Sequence, residues 1–206
     1  MGRASRRRDV GCGTGFVVEL YARGGAAVSG VDIANRSVEL TQRRLEISGL
    51  TADVRQANAE NLPFDDDHFD LVTSYGVLHH TPDTQAAVQE IYRVLKPGGK
   101  TIMMFYHRNS FAYQILFRLK RWIQPSWRGK TAEDQVDAVD GPQNPLGKVY
   151  SRTDLARILS DFEELEFRAN SLFFHWETLL PRPIVSYISR RWGWHLYVKA
   201  HKSPIK

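Results

Sequence analysis

Residues 8–16 read Arg8-Asp9-Val10-Gly11-Cys12-Gly13-Thr14-Gly15-Phe16, three glycines alternating with other residues behind an acid. Glycine has no Cβ, so the backbone there can turn tightly and a ligand can approach it closely. Such a run ends a strand and opens a helix. The next residues, "FVVELYARGG", carry a helical pattern and stop at Gly24-Gly25. A buried strand, "AAVSGVDI", follows and ends at Asp32-Ile33. A carboxylate at that end can accept from both hydroxyls of a ribose, at ~1.5–3 kcal/mol for each hydrogen bond to the charged group. The glycine turn and the acid fall at matching strand ends, and together they read as adenosine recognition. The plainer alternative is a tight turn beside a surface aspartate.

The alternation continues outward. "NRSVELTQRRLEISG" is helical and ends at Gly49; "ADVRQAN" is a third strand and "FDLVTSYG" a fourth. "DTQAAVQEIYRVLKPGG" is a helix with Ala87, Ile91, Val94 and Leu95 on one face, and "KTIMMFYH" is a fifth strand. Strands alternating with helices predict a doubly wound, mainly parallel sheet covered on both faces. Ligands of such sheets bind beyond the carboxyl ends of the strands. Residues 9–106 are expected to form this cofactor-binding core, and 107–150 a lid-like excursion rich in Arg, Trp and Phe. Residues 151–206 add a helix capped by Ser151 or Thr153, an alternating strand "EELEFRANSLFF", a short helix "PRPIVSYISRRWG" and a last strand "WHLYVKAHK". No linker divides the chain, so 1–206 is expected to be one domain.

Dinucleotide sites use G-x-G-x-x-G, and Phe16 stands where the third glycine would be. The spacing here is G-x-G-x-G, and Asp9 would repel a pyrophosphate. A ligand carrying an ammonium and a sulfonium suits that acid, which favours S-adenosylmethionine over NAD. "DVGCGTG" resembles the first motif of the class I, Rossmann-like S-adenosylmethionine-dependent methyltransferases. "GVDI", "NAENLPF", "DHFDLVTSYGVLHH" and "IYRVLKPGGKTIM" resemble their later motifs, in the same order, from Asp9 to Tyr106. They look like the subgroup acting mainly on small molecules, which includes quinone C-methyltransferases.

The resemblance implies a seven-stranded sheet whose last strand is antiparallel and inserted beside the fifth. It also implies a set of cofactor contacts. Asp9 would face the methionine ammonium, and Gly11, Cys12, Gly13 and Gly15 would line methionine and ribose. Asp32 would hold the ribose hydroxyls, with Ile33 against adenine. Ala59 and Glu60 would border the adenine edge, and Tyr75 would lie beside the sulfonium. Asn58 departs from the usual Asp of the motif, yet its amide oxygen can still accept from the adenine amino group.

A second departure precedes the glycines. Only Val10 is apolar where the family has an apolar first strand, and Arg6-Arg7-Arg8 fill the rest. Arginines in the central strand of a doubly covered sheet would be badly placed. The expectation is a truncated or misread N-terminus, with a shortened family member as the alternative. A non-catalytic, methyltransferase-like partner subunit is therefore the rival to an active enzyme, while a nicotinamide oxidoreductase is disfavoured by Phe16 and Asp9.

On the acceptor side, His79 and His80 follow the fourth strand and Tyr106 and His107 end the fifth. They are candidates to orient or deprotonate a substrate, or else to cap and fill. Transfer from an activated sulfonium needs mainly positioning, so no residue is assigned as catalytic. "SFAYQILFRLKRWIQPSW" sets Phe111, Ile115, Leu119, Trp122 and Ile123 near one helical face, beside Arg118, Lys120 and Arg121. It reads as a lid over a hydrophobic substrate with Trp122 in its wall, as a peripheral membrane contact, or as ordinary packing. As a lid, it should lie over the carboxyl ends of the fourth and fifth strands, near His80 and Tyr106.

The 206-residue chain carries 28 Lys and Arg against 23 Asp and Glu, a net charge of +5. That excess reads as solubility, or as attraction to an anionic partner. No nucleic-acid motif is present, so no such partner is expected, whereas a small-molecule methyl acceptor, hydrophobic or anionic, is. The single cysteine, Cys12, excludes an intramolecular disulfide and a multi-cysteine metal cluster, and no metal is expected. No apolar run approaches the ~20 residues of a membrane helix, and the cytoplasm is the expected location.

Overall fold

The computed structural model describes residues 5–138, 141, 146–172 and 181–204. Its strands are β1 (Arg6–Val10), β2 (Ala27–Asp32), β3 (Asp53–Gln56), β4 (Phe69–Tyr75), β5 (Leu95–His107), β6 (Val149–Tyr150), β7 (Glu163–Asn170) and β8 (His195–His201). Its helices are α1 (Phe16–Arg23), α2 (Asn35–Ile47), α3 (Thr84–Val94), α4 (Phe117–Ile123), α5 (Ala132–Asp137), α6 (Arg152–Ile158) and α7 (Arg182–Trp192). The sheet order is β3-β2-β1-β4-β5-β8-β7. Strands β1 to β5 pair in parallel, and β8 runs antiparallel between β5 and β7. The mainly parallel sheet and the antiparallel insertion of the last strand agree with the sequence reading.

The expected count of seven strands is corrected by one. Strand β6 pairs Val149 with Tyr106 and Tyr150 with His107 at the end of β5. Two residues inside a turn-rich loop carry no alternation to read. The expected strand "EELEFRANSLFF" is formed over Glu163–Asn170, and its last two residues lie outside the described ones.

Strand β1 is in place between β2 and β4, with Arg7 opposite Val28 and Leu71. The arginines thus occupy a central strand after all. Arg8 is fully buried, and its guanidinium lies 3.6 Å from the centre of the Phe64 ring and 5.3 Å from that of Phe69. Arg7 covers Tyr21 at 4.9 Å. The backbone ladder and these aromatic faces hold the strand, although Nε and both Nη atoms of Arg8 have no hydrogen-bond partner among the described residues. Burial pushes that guanidinium down to about 9.

One face of the sheet packs Val10, Val72, Met103, Phe105 and Leu196 against Ile91 of α3 and Leu155 of α6. Val18 of α1 and Val38 and Leu45 of α2 pack with Val28 and Val54 of the sheet. Helix α6 begins in a capping box of Ser151 and Asp154, one of the two expected caps. Helix α3 begins at Asp83, whose side chain accepts from the Ala86 N–H. A third cluster of Tyr106, Ala112, Tyr113, Phe117, Val136, Val149 and Trp194 fastens the 107–150 excursion to the carboxyl end of β5.

The outer face of that excursion differs from the sequence reading. The residues buried are Ala112, Tyr113 and Phe117, while Ile115, Leu119, Trp122 and Ile123 are exposed, Trp122 at 83%. A π-helical turn over Ala112–Leu116 leads into α4. Its i→i+5 bonding breaks the 3.6-residue period on which the apolar face was assigned.

Candidate active site

The glycine turn joins β1 to α1 with Gly11, Gly13 and Gly15 at φ of +78°, +52° and +80°. A Cβ on Gly11 would stand 2.0 Å from a Val77 methyl, and one on Gly15 would stand 2.9 Å from Thr41. Gly13 differs, because a Cβ there would meet nothing within 4 Å among the described residues. Packing against the segment after β4 thus demands Gly11, packing against α2 demands Gly15, and Gly13 leaves open space beside the turn.

Asp32 ends β2 and ties the turn to the sheet. Its Oδ2 accepts from the Gly13 N–H at 2.9 Å and its Oδ1 from the Ala34 N–H at 3.0 Å. An ionised carboxylate has about four lone-pair sites, so two backbone bonds leave capacity for two further donors. A cavity of about 360 Å³ opens here at the carboxyl ends of β1, β2 and β4. Gly11, Asp32, Ile33, Asn58, Ala59 and His80 line it, as the sequence reading named them for cofactor or acceptor. Val10, Val31, Ala57, Gly76, Val77, Thr81 and Pro82 line it too and were not named. They adjoin the named residues or motifs in sequence, and that adjacency was the available signal.

Other named residues stand behind or beside the cavity. Asp9 is buried, and the Thr73 hydroxyl donates to its Oδ1 at 3.0 Å. Burial pushes the Asp9 carboxyl up to about 7, with repulsion from Asp32 adding to it. Cys12 is buried against Thr41, and burial pushes its thiol up to about 11. Such a thiol is a turn-filling side chain and not a nucleophile. Asn58 Oδ1 accepts from the Glu60 N–H at 3.0 Å, and Glu60 Oε1 accepts from the Asp83 N–H at 2.8 Å. The Glu60 carboxylate is therefore engaged at the start of α3. Tyr75, 38% exposed, ends β4 beside Gly76 and meets Tyr197 edge-on at 6.0 Å.

Among the acceptor-side candidates, His80 lines the cavity, and its Nδ1 is hydrogen-bonded to the Leu146 carbonyl. His79 is fully buried, its ring tilted against that of Tyr106 at 3.9 Å, and burial holds its imidazole well below the ordinary range. Tyr106 is buried against Trp194 at 4.5 Å. Buried His107 bonds the Gly193 carbonyl through Nδ1 at 3.0 Å. Tyr106 and His107 join β5 to the C-terminal elements, and Trp122 is exposed.

The segment before β6 closes the cavity wall. The Lys148 N–H donates to the His79 carbonyl at 3.0 Å, and Lys148 Nζ donates to the carbonyls of Thr81 at 2.9 Å and Pro82 at 2.7 Å. The Tyr150 hydroxyl bonds Thr84 at 2.8 Å. The sequence showed this stretch only as a loop near the site, since long-range clamps leave no periodic signal. Among the described residues no cluster of three or more His, Cys, Asp or Glu could hold a metal ion.

Residues 8–103 match the family described as "Methyltransferase domain". A ubiquinone biosynthesis O-methyltransferase of Pseudomonas savastanoi is 33% identical over 165 residues, covering 70% of this chain and 71% of the relative. That of Pseudomonas aeruginosa is 30% identical over 162 residues, covering 69% and 70%. Among solved structures, an S-adenosylmethionine-dependent methyltransferase of Methanosarcina mazei matches with a TM-score of 0.72 at 20% identity, covering 100% of this chain and 95% of its own. One from Thermotoga maritima matches with a TM-score of 0.65 at 23% identity, covering 98% and 84%. The chain belongs to the class I S-adenosylmethionine-dependent methyltransferases. It is an enzyme of that class, with S-adenosylmethionine as its cofactor. The residues present fit that group: a carboxylate with spare acceptor capacity faces the cavity beside a glycine that leaves open space.

Proposed function

We propose that the methyl acceptor is a small hydrophobic or anionic molecule methylated at a hydroxyl oxygen. The oxygen follows from likeness to relatives whose names make them O-methyltransferases. Bound S-adenosylmethionine supplies a methyl group on a sulfonium, already activated toward a nucleophile. Asp32 takes the ribose hydroxyls, Ile33 and Ala59 enclose the adenine, and the Asn58 amide oxygen accepts from its amino group. Glu60 sets the Asn58 loop from behind, through its bond to the Asp83 N–H. Gly11, Cys12, Gly13 and Gly15 shape the turn along the methionine, Asp9 answers its ammonium, and Tyr75 borders the sulfonium end.

The observation that carries the acceptor chemistry is the place of His80 on the cavity wall. Its Nδ1–H donates to the Leu146 carbonyl, which holds the ring there. An imidazole so placed can orient or deprotonate an acceptor hydroxyl as the oxygen attacks. Methyl-labelled donor incubated with catechols that carry apolar tails tests this. O-methylated product is expected, with kcat reduced about 100-fold in His80→Gln and cofactor affinity unchanged. Amine methylation without any O-methylation would refute it.

For location we propose the cytoplasm, with a peripheral contact to an anionic membrane surface. Among the described residues no helix is long and apolar enough to cross a membrane. Exposed Ile115, Leu119, Trp122 and Ile123, flanked by Arg118 and Lys120, support the contact.

A further inference from the structure

Arg23, Arg36, Arg43, Arg44, Arg55, Arg93 and Arg108 each pair with a carboxylate. Five others do not. Arg152, Arg168, Arg182, Arg190 and Arg191 make no ion pair with Asp or Glu among the described residues, and all five are exposed. They converge on α7. Two adjoining cavities, of about 600 Å³ and 860 Å³, share Ser186 and Arg190. The first is lined by Arg152, Arg190 and Arg191, and the second by Arg168, Arg182 and Arg190 with Asn170 and Tyr197. Among the described residues neither lining includes an Asp or a Glu.

Like charges gathered without a counter-charge repel, and an anion with several acceptor oxygens removes that repulsion. Guanidinium forks match phosphate oxygens in pairs, and a dianion answers several arginines at once. We propose that the cleft between α7 and the edge of the sheet is a binding site for a phosphate group. The phosphate comes from one end of the methyl acceptor or from a phospholipid headgroup.

Its place in the sheet connects it to the proposed chemistry. Arg168 is in register with Tyr197, Tyr197 with Met104, and Met104 with Tyr75. Residues directly opposite in a ladder share a face, and the Tyr75–Tyr197 ring contact at 6.0 Å lies on it. Three strand spacings of ~4.8 Å separate Arg168 from Tyr75, roughly 14 Å in all. Tyr75 borders Gly76 of the cofactor cavity. An acceptor about 14 Å long, with its phosphate held at Arg168 and Arg190, reaches the methyl group with its other end. This span rests on the proposed acceptor side of the site; the anion site itself does not. The headgroup source is served by α4, which reaches the end of α7 through the Phe117–Trp194 ring contact at 5.4 Å.

Titration of the full chain with inorganic pyrophosphate in a calorimeter tests the site. Co-sedimentation with phosphatidylglycerol and with phosphatidylcholine vesicles separates the two sources. Arg168→Gln and Arg190→Gln alter exposed side chains, and thermal melting confirms that each variant is folded. Pyrophosphate binding that weakens about tenfold in each variant supports the site with a soluble phosphate. Sedimentation with phosphatidylglycerol alone, lost in the double variant without any pyrophosphate binding, supports it with a headgroup. Absence of both, or equal binding by wild type and double variant, overturns it. S-adenosylhomocysteine titrated into the same samples should bind all of them alike. Its failure alongside intact pyrophosphate binding would fall on the cofactor site and leave the anion site standing.

Discussion

Replacing Arg8 by leucine should stabilise the protein, although arginine is the native residue. The side chain is fully buried in the central strand, and none of its three nitrogens has a hydrogen-bond partner among the described residues. An arginine in water keeps its proton to above pH 12, whereas burial brings Arg8 down to about 9. Three decades of proton affinity at ~1.36 kcal/mol each put the cost of the charged form at ~4 kcal/mol. The Phe64 face, 3.6 Å away, returns ~2 kcal/mol of cation–π attraction. The net cost of ~2 kcal/mol disappears in Arg8→Leu, whose side chain suits Phe64 and Phe69. For a chain of this size the gain is roughly 4–8 °C in Tm, read by circular dichroism at neutral pH. The pH dependence has a definite sign. Above about pH 9 the folded protein releases the Arg8 proton while the unfolded chain keeps it. The unfolded state then binds more protons, wild-type stability rises relative to the variant, and the difference between them shrinks. A leucine variant that melts at or below wild type would refute the reasoning, because the guanidinium would then have to be a net stabiliser.

Asp9 provides the opposite titration. Its carboxyl is held at about 7 in the fold and near 3.9 when unfolded. The folded state binds more protons between those values, so this contribution is full below about pH 4 and lost as pH rises through about 7. Asp9→Asn should gain on wild type by ~2–4 kcal/mol across that window in parallel thermal melts; an unchanged difference would show that Asp9 is not buried as protonated acid. Lys148→Met removes the clamp on the Thr81 and Pro82 carbonyls and should lower stability by ~1–2 kcal/mol in urea, with a several-fold loss of S-adenosylhomocysteine affinity. No change in either would separate Lys148 from the cavity wall.

The sheet was legible because its strands and helices alternate with clean periods and end at glycines. The carboxyl-end site was legible because Asp32 and Gly11 fall at matching strand ends. Other features were not. The exposed row Ile115, Leu119, Trp122 and Ile123 was assigned a single face from a regular helical period, and the π turn at Ala112–Leu116 turns a different set of residues inward. His79 and His107 looked like site histidines by position, yet both are buried between elements far apart in sequence. Arg8 was judged unsuited to a central strand, and Phe64, which accommodates it, lies in the motif that followed the third strand. Each of these depends on contacts across long sequence separations, to which local patterns are blind.

The central claim is that the cavity between Gly11, Asp32 and Asn58 holds S-adenosylmethionine. Calorimetric titration with S-adenosylhomocysteine, beside an identical titration with NAD, tests it most directly. Asp32 already accepts from two backbone N–H groups, and the ribose hydroxyls add two hydrogen bonds to the same charge. At ~1.5–3 kcal/mol each, their loss in Asp32→Ala should weaken binding about 100-fold or more, while Cys12→Ala changes it little. One-to-one binding of S-adenosylhomocysteine by wild type, that loss in Asp32→Ala and no heat with NAD are the predicted result. Binding of NAD alone, or equal S-adenosylhomocysteine binding by wild type and Asp32→Ala, would contradict it.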